Sequence, residues 1–450
     1  MANPILDFNL GAFIQIYYSK GIRDQISQDF REFEMIQRLK EGNPDGREMK
    51  FMFKLGRGPA SVQYSRFTDY GFVKGQQSSV AEYTAEYQQL NATVEFDYNL
   101  WNQAKKNPDV YGDFLAEELK DKVINQKRQL AKDFYGDGTG VLGETAALAG
   151  DTAADGSVTV SLKTTSAAGG HVGFFEYDDI LTVADEDGTR RVGAHAGFYA
   201  WRVDSVDRNA DAVTLVAVDD KYNDIAAPAA SNIAADDFIY RVGLDGTADQ
   251  VDRTGITDYG KELVFPGLES LAATDGRVVH GITMSGRTGA TTEAGGALGV
   301  DKLETVLNSA KIRCGENAYS YKVMSAAPEV HTFFINSREG DRRFNTVDDT
   351  KRGGKVFGYQ HRSDFLEMAS TEYVPKNRIW MLPEVKSDNG KIICAKLTDF
   401  ETDKVNDTTE FRWAVENGQR LKKIQTSMTA RGTFVCKHPA AIASIKDFTL

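Results

Sequence analysis

The sequence predicts a mixed α+β fold, and three observations carry that expectation. A single long helix is capped at both ends between Asn107 and Gly136. The stretches flanking it alternate apolar and polar residues as strands do. The C-terminal half mixes short apolar runs with amphipathic segments of helix length.

Asn107 followed by Pro108 reads as a helix start, because the Asn side chain can accept from first-turn amides and a proline at the first helical position forfeits no bond. Leu115, Leu119, Val123, Leu130 and Phe134 then recur at helical spacing, which predicts an apolar stripe along one side. Acids crowd the early turns (Asp109, Asp113, Glu117, Glu118), and Lys127, Arg128 and Lys132 come late, as the helix dipole favours. Gly136 ends the helix and GDGTG turns the chain sharply. About 27 residues of helix span about 40 Å at 1.5 Å each.

Before the helix, residues 1–45 open extended, and IRDQISQDFREFEMIQRL predicts an amphipathic helix with Ile22, Ile26, Phe30, Phe33, Ile36 and Leu39 on one face. GNPDG closes it. From Arg47 to about Tyr98 the pattern is strand-like: MKFMFKL alternates, GRGPA turns, SVQYSRF alternates again, and EYQQLNATVEFDYNLW follows. This hairpin-like excursion carries Lys54, Arg57, Arg66 and Lys74 and lacks a continuous apolar face. A two-stranded ribbon is marginal in water on its own, so it is ordered best by lying across another molecule; an ordinary meander inside one domain fits the same pattern.

After the helix, residues 143–165 are rich in Ala, Gly, Thr and Asp and read as a flexible loop. Residues 170–245 are almost purely β, with short runs such as DILTVAD, YAWRVDSVD, DAVTLVAV and DDFIYRV, which predicts a small antiparallel sheet or barrel. Further on, VVHGITMS reads as a buried strand. A helix beginning at Asp301 has Glu304 at capping-box spacing and a buried face of Leu303, Val306, Leu307 and Ala310. YKVMSA reads as a strand, a short helix starts at Pro328, Asp341 to Lys355 reads as a charged loop, and strand and turn signals fill the rest.

The 450 residues suggest two to four domains, and 41% hydrophobic with 26% charged residues is a globular composition. A net charge of −12 argues against gripping nucleic acid by phosphate neutralisation, yet is compatible with a wall along which packed DNA slides. Cys314, Cys394 and Cys436 are sparse and odd in number, which predicts a reducing compartment and no disulfide framework. Neither a secretory leader nor a run of about 18 apolar residues is present, so a cytosolic, non-membrane chain is expected.

No enzyme is advertised. The six histidines form no HxxxH or HExxH pair and no Cys/His cluster, so neither a metal site nor a cofactor is expected. GDGTG follows a helix rather than a strand, GRTGATTEAGG lacks the Walker ending, and GxSxG is absent. Glu117–Glu118 sits on a helix with Lys122 four residues on, the pattern of a solvated face.

In its order of segments the chain resembles the major capsid proteins of tailed bacteriophages, with the Hong Kong 97-type fold that encapsulin shells share. LAKDFYGDGTG (Leu130 to Gly140), KHPAAIASIKDFTL (Lys437 to Leu450) and GYQHRSDFLEMASTEYVPKNRIWMLP carry the resemblance. It implies an N-terminal arm at 1–46, an extended loop at 47–100, and a peripheral domain with a spine helix at 101–142. A β-rich module would follow at 143–257, an axial domain at 258–400 and a return to the peripheral domain at 401–450. It further implies a non-enzymatic virion protein, assembled in host cytoplasm into pentamers and hexamers of an icosahedral head enclosing double-stranded DNA without sequence-specific binding. Lys54, Arg57, Arg66 and Lys74 would then be contacts between subunits, with scaffolding, portal and decoration proteins as further partners. The alternatives are an encapsulin-like compartment shell and an enzyme with an accessory β-domain.

Overall fold

The computed structural model describes residues 35–38, 48–56, 79–98, 108–147, 157–164, 170–185, 191, 198–219, 224–225, 233–241, 264–274, 276, 278–286, 288–315, 318–336, 344–349, 354–362, 364–386, 390–397, 401–402, 404–405, 408–409, 412–416 and 419–450. Within them the chain is mixed α+β, with strands predominating.

The first described strand, β1 (Gln37–Arg38), corrects part of an expectation: the end of the segment predicted to be an amphipathic helix is extended. Residues 1–34, which include the start of that segment, and its terminal Leu39 lie outside the described residues. β2 (Glu48–Gly56) and β3 (Ser79–Glu86) form an antiparallel two-stranded ribbon, with Lys50 opposite Thr84 and Lys54 opposite Val80. Tyr87 alone separates β3 from β4 (Gln88–Asp97). Within 47–98 the two-stranded pairing ends at Glu86, and β4 is built into a larger sheet.

Helix α1 (Pro108–Tyr135) starts at the predicted proline and ends where Gly136 N donates to the carbonyls of Lys132 and Asp133. Gly138 and Gly140 turn the chain at positive φ, and Asp137 Oδ1 accepts from Thr139 N. The expected one-sided stripe is corrected. Val123, Leu130, Ala131, Phe134 and Tyr135 are buried, but so are Gln126, Lys127, Lys132 and Asp133, so the last two and a half turns are enclosed on several faces. The side chains of Leu115 and Leu119 lie outside the described residues.

The barrel comes next. Strands β5 (Val141–Ala147), β6 (Ser157–Leu162), β7 (Ile180–Ala184), β8 (Ala200–Asp207), β9 (Ala212–Val218) and β10 (Phe238–Arg241) close in the order β10-β5-β6-β9-β8-β7. β5 and β6 occupy much of the stretch expected to be a flexible loop. Composition hid the alternation of SVTVSL, in which Val158, Val160 and Leu162 are buried while Thr159 and Ser161 face solvent. Val203, Val213, Leu215, Ile239 and Trp201 complete the interior.

A four-residue helix, α2 (Leu268–Leu271), then lies against the end of α1. Its cap Gly267 approaches so closely that an added Cβ would sit 2.1 Å from the Asp133 carbonyl oxygen, so no other residue fits. VVHGITMS, expected as one buried strand, is a tight hairpin of β11 (Val278–Val279) and β12 (Ile282–Thr283). Its two turn residues, His280 and Gly281, both have positive φ, at 51° and 81°.

An eight-stranded sheet follows, comprising β13 (Thr291–Ala294), β14 (Tyr319–Ala326), β15 (Phe344–Asp349), β16 (Gly354–His361), β17 (Asp364–Ser370), β18 (Arg378–Val385), β19 (Gly390–Lys391) and β26 (Ala443–Lys446). The expected charged loop at Asp341–Lys355 is largely the β15–β16 hairpin, where Val347 pairs with Val356. Helices α3 (Val300–Cys314) and α4 (Pro328–Asn336) pack on this sheet through Leu303, Val306, Leu307, Ala310, Val330 and Phe334. The capping box does not form: the N-cap is Gly299, and Glu304 instead accepts from the Tyr359 hydroxyl at 3.3 Å.

The remaining strands are β20 (Ile393–Leu397), β21 (Glu401–Thr402), β22 (Lys404–Val405), β23 (Thr408–Thr409), β24 (Arg412–Glu416) and β25 (Gln419–Cys436). At eighteen residues β25 is the organising strand. β4 runs along one edge of it, and β24, β21 and β20 take turns along the other, with β1 parallel to β20. Phe434 of β25 meets Phe134 of α1 at 5.7 Å and Phe265 at 5.5 Å, so the long helix and the long strand share one core.

Candidate functional site

The β2–β3 ribbon joins the body at a small seat. Tyr83 and Ala85 of β3 are fully buried against Ile282 of β12 and Val435 of β25. The Tyr83 ring lies 4.5 Å from the His280 ring, and Thr84 N donates to the His280 carbonyl at 3.0 Å. Burial holds the His280 imidazole at about 4, so it is neutral at physiological pH. On the ribbon, Glu48, Lys50, Glu82 and Glu86 are exposed, and Lys50 bridges Glu82 at 2.9 Å and Glu48 at 3.5 Å. Among the described residues the ribbon's strands pair only with each other. Lys54 lies on β2 with its side chain outside the described residues, and Arg57, Arg66 and Lys74 lie outside them altogether.

A second cluster locks the barrel to α1. Lys132, almost fully buried, reaches Glu176 at 2.9 Å and Asp179 at 3.7 Å. Arg241 of β10 contacts Asp179 at 3.3 Å and also Gln129, whose amide donates to Asp133 at 2.6 Å. Burial pushes the Asp133 carboxyl up to about 7, against the opposing pull of Gln129, Arg241 and Lys132. The Lys132 ammonium is itself held below its usual range, first by burial and then by Arg241. In the sequence these late bases were accounted for by the helix dipole, an argument blind to what packs over the helix end.

Other charged groups are equally structural. Glu269 of α2 is buried between Arg378 of β18 and Lys446 of β26, the latter at 2.9 Å. Burial alone would raise its carboxyl, yet the two cations hold it down to about 2. Lys311 of α3 meets Asp364 of β17 at 2.8 Å, both buried. His171 accepts from Gly173 N at 3.1 Å, has its other ring nitrogen 3.0 Å from the Tyr373 carbonyl, and is driven to about 3 by burial. The Cys436 thiol is pushed up to about 12 by burial, and Cys314 and Cys394 are raised for the same reason, which suppresses thiolate chemistry at all three. Among the described residues, no group of three or more His, Cys, Asp or Glu is placed to hold a metal ion, and no helix is long and apolar enough to cross a membrane.

The seat residues Tyr83, His280, Ile282 and Val435 are the ones that sequence reasoning missed. The signal was present in the dipeptide His280–Gly281 between two pairs of β-formers, a two-residue hairpin pattern that was masked by reading the run as continuous.

No protein-family profile matches the chain, and no curated protein does. Among solved structures, the chain is similar to a subunit in the cyanophage A-1(L) capsid asymmetric unit, at 11% identity and TM-score 0.42, covering 92% of this chain and 91% of that one. A chain from Mycobacterium phage Bobi gives 8% identity and TM-score 0.42, covering 93% and 90%. A chain of the holo-SrpI encapsulin complex from Synechococcus elongatus gives 14% identity and TM-score 0.26, covering 40% of this chain and 56% of that one.

Proposed function

We propose that this chain is the major capsid protein of a tailed bacteriophage, forming pentamers and hexamers that close into an icosahedral head around double-stranded DNA. The observation that carries the reading is the ribbon. Among the described residues its two strands pair only with each other, and a two-stranded sheet on its own is marginal in water, so a surface supplied by a neighbour would stabilise it. A contact that places one patch on a different patch of the next copy is heterologous, and such contacts close into rings.

In this reading residues 1–46 are the arm and 47–100 the extended loop, with Lys54, Arg57, Arg66 and Lys74 meeting the adjacent subunit. Residues 101–142 supply the spine helix of the peripheral domain. The barrel lies in the added module at 143–257, the axial domain is 258–400, and 401–450 returns to the peripheral domain. The net charge of −12 suits a container whose contents must remain mobile. Scaffolding, portal and decoration proteins are the further partners, and assembly takes place in host cytoplasm.

Electron microscopy of the expressed protein tests this directly. Closed shells or rings are expected from the whole chain, and folded, unassembled subunits from a chain lacking Gly56 to Gly75. Intact shells from the deletion, or a monomer at high concentration from the whole chain, would overturn the reading.

A further inference from the structure

We propose that the His280–Gly281 turn is a steering seat, which fixes the direction in which the ribbon leaves the body. The seat rests on geometry alone; only its consequence for assembly rests on the capsid reading. One residue, Tyr87, separates the ribbon from the sheet strand β4, so without a second point of attachment the ribbon would pivot there. The second point lies at Tyr83 to Ala85. At about 3.3 Å per residue, Tyr83 lies about 13 Å from Tyr87 and Ser79 about 26 Å. A displacement of about 1 Å at the seat therefore becomes about 2 Å at Ser79.

The seat is rigid for reasons visible in its residues. Two consecutive positive φ values make a two-residue turn of fixed twist, and His280 holds the left-handed conformation that a β-branched residue would resist. From that turn the His280 carbonyl holds Thr84 N while its ring packs on Tyr83, so backbone and side chain grip successive residues of β3. Gly281 faces the Glu82 carbonyl, with an added Cβ falling 3.9 Å from it. On the other side, Val435 of β25 closes the apolar pocket around Tyr83 and Ala85. His280 is thus a positioning residue for the ribbon.

His280→Asn separates the two grips, because Asn tolerates the left-handed conformation and keeps the carbonyl in place while losing the ring. Hydrogen–deuterium exchange on unassembled protein should show amides of Val80 to Glu86 exchanging about 5- to 20-fold faster, with α1, β14 and β18 unchanged. Tyr83→Leu should do the same, and the double variant H280N/Y83L should add little to either single one. Unchanged exchange in the ribbon, or equal loosening throughout the chain, would overturn the proposal. Electron microscopy then reads the steering: the loosened variants should give fewer closed shells and a wider spread of diameters than wild type. Loosened ribbons with a normal shell population would overturn it. Absence of shells from wild type would instead overturn the capsid reading, with the exchange result still deciding the seat.

Discussion

The barrel and the ribbon are made of similar strands, short and spaced by turns, yet they solve the problem of the sheet edge in opposite ways. In the barrel every strand has a neighbour on both sides, the circuit closing where β10 meets both β5 and β7. Val158, Val160, Val203, Val213, Leu215 and Trp201 fill the inside, so its stability is self-contained. In the ribbon each strand has one neighbour among the described residues, and Glu48, Lys50, Glu82 and Glu86 stand exposed on it. One region needs nothing from outside. The other keeps an edge on each strand that no described strand covers.

This contrast breaks most visibly at the barrel's centre. Trp201→Ala removes the largest interior side chain and should lower the free energy of unfolding by about 3–5 kcal/mol, read by urea titration. A loss below about 1 kcal/mol would mean that the barrel does not depend on its filling. Next comes Asp237, buried on the rim, where it accepts from Ala234 N and from Arg191 at 2.9 to 3.1 Å. Asp237→Ala should cost about 2–3 kcal/mol and speed amide exchange in β10 and β5, since it strands a half-buried guanidinium.

The helix–barrel joint gives a smaller effect with a sign set by pH. Asp133 titrates near 7 in the folded chain and in the usual carboxylate range when unfolded, so the folded chain holds that proton more tightly. Its contribution to stability is full below about pH 4 and is lost as the pH rises through about 7. Asp133→Asn should therefore raise stability at pH 8 by about 1–3 kcal/mol, with the difference vanishing near pH 4 in paired thermal melts. The smallest effect belongs to the ribbon: Lys50→Ala removes an exposed pair and should leave the melting temperature unchanged. A measurable drop would show that the ribbon supports itself after all.

The long helix, the terminal strand pattern and the β-rich middle were legible in the sequence because each depends on local signals: a cap, a period, a turn. What failed to show were features decided by distant residues. The bases at the end of α1 read only as partners of the helix dipole, because nothing local announces that Glu176, Asp179 and Arg241 gather around Lys132. SVTVSL was lost among small residues although its alternation was intact. The hairpin at His280–Gly281 was lost because two-residue strands leave too little pattern to outweigh an apolar run. Of the four basic residues singled out, Lys54 falls on the ribbon itself and the other three beyond the described strands.

The long strand β25 has one more consequence, in time rather than space. Its pairing with β4 joins residues more than three hundred positions apart, and Val435, which closes the ribbon's seat, follows Tyr83 by a similar separation. At about 5–20 residues per second, synthesis of the stretch between them lasts from about twenty seconds to over a minute. Throughout that interval neither the sheet behind α1 nor the seat can exist. A nascent chain therefore carries its ribbon unseated until synthesis has passed Val435.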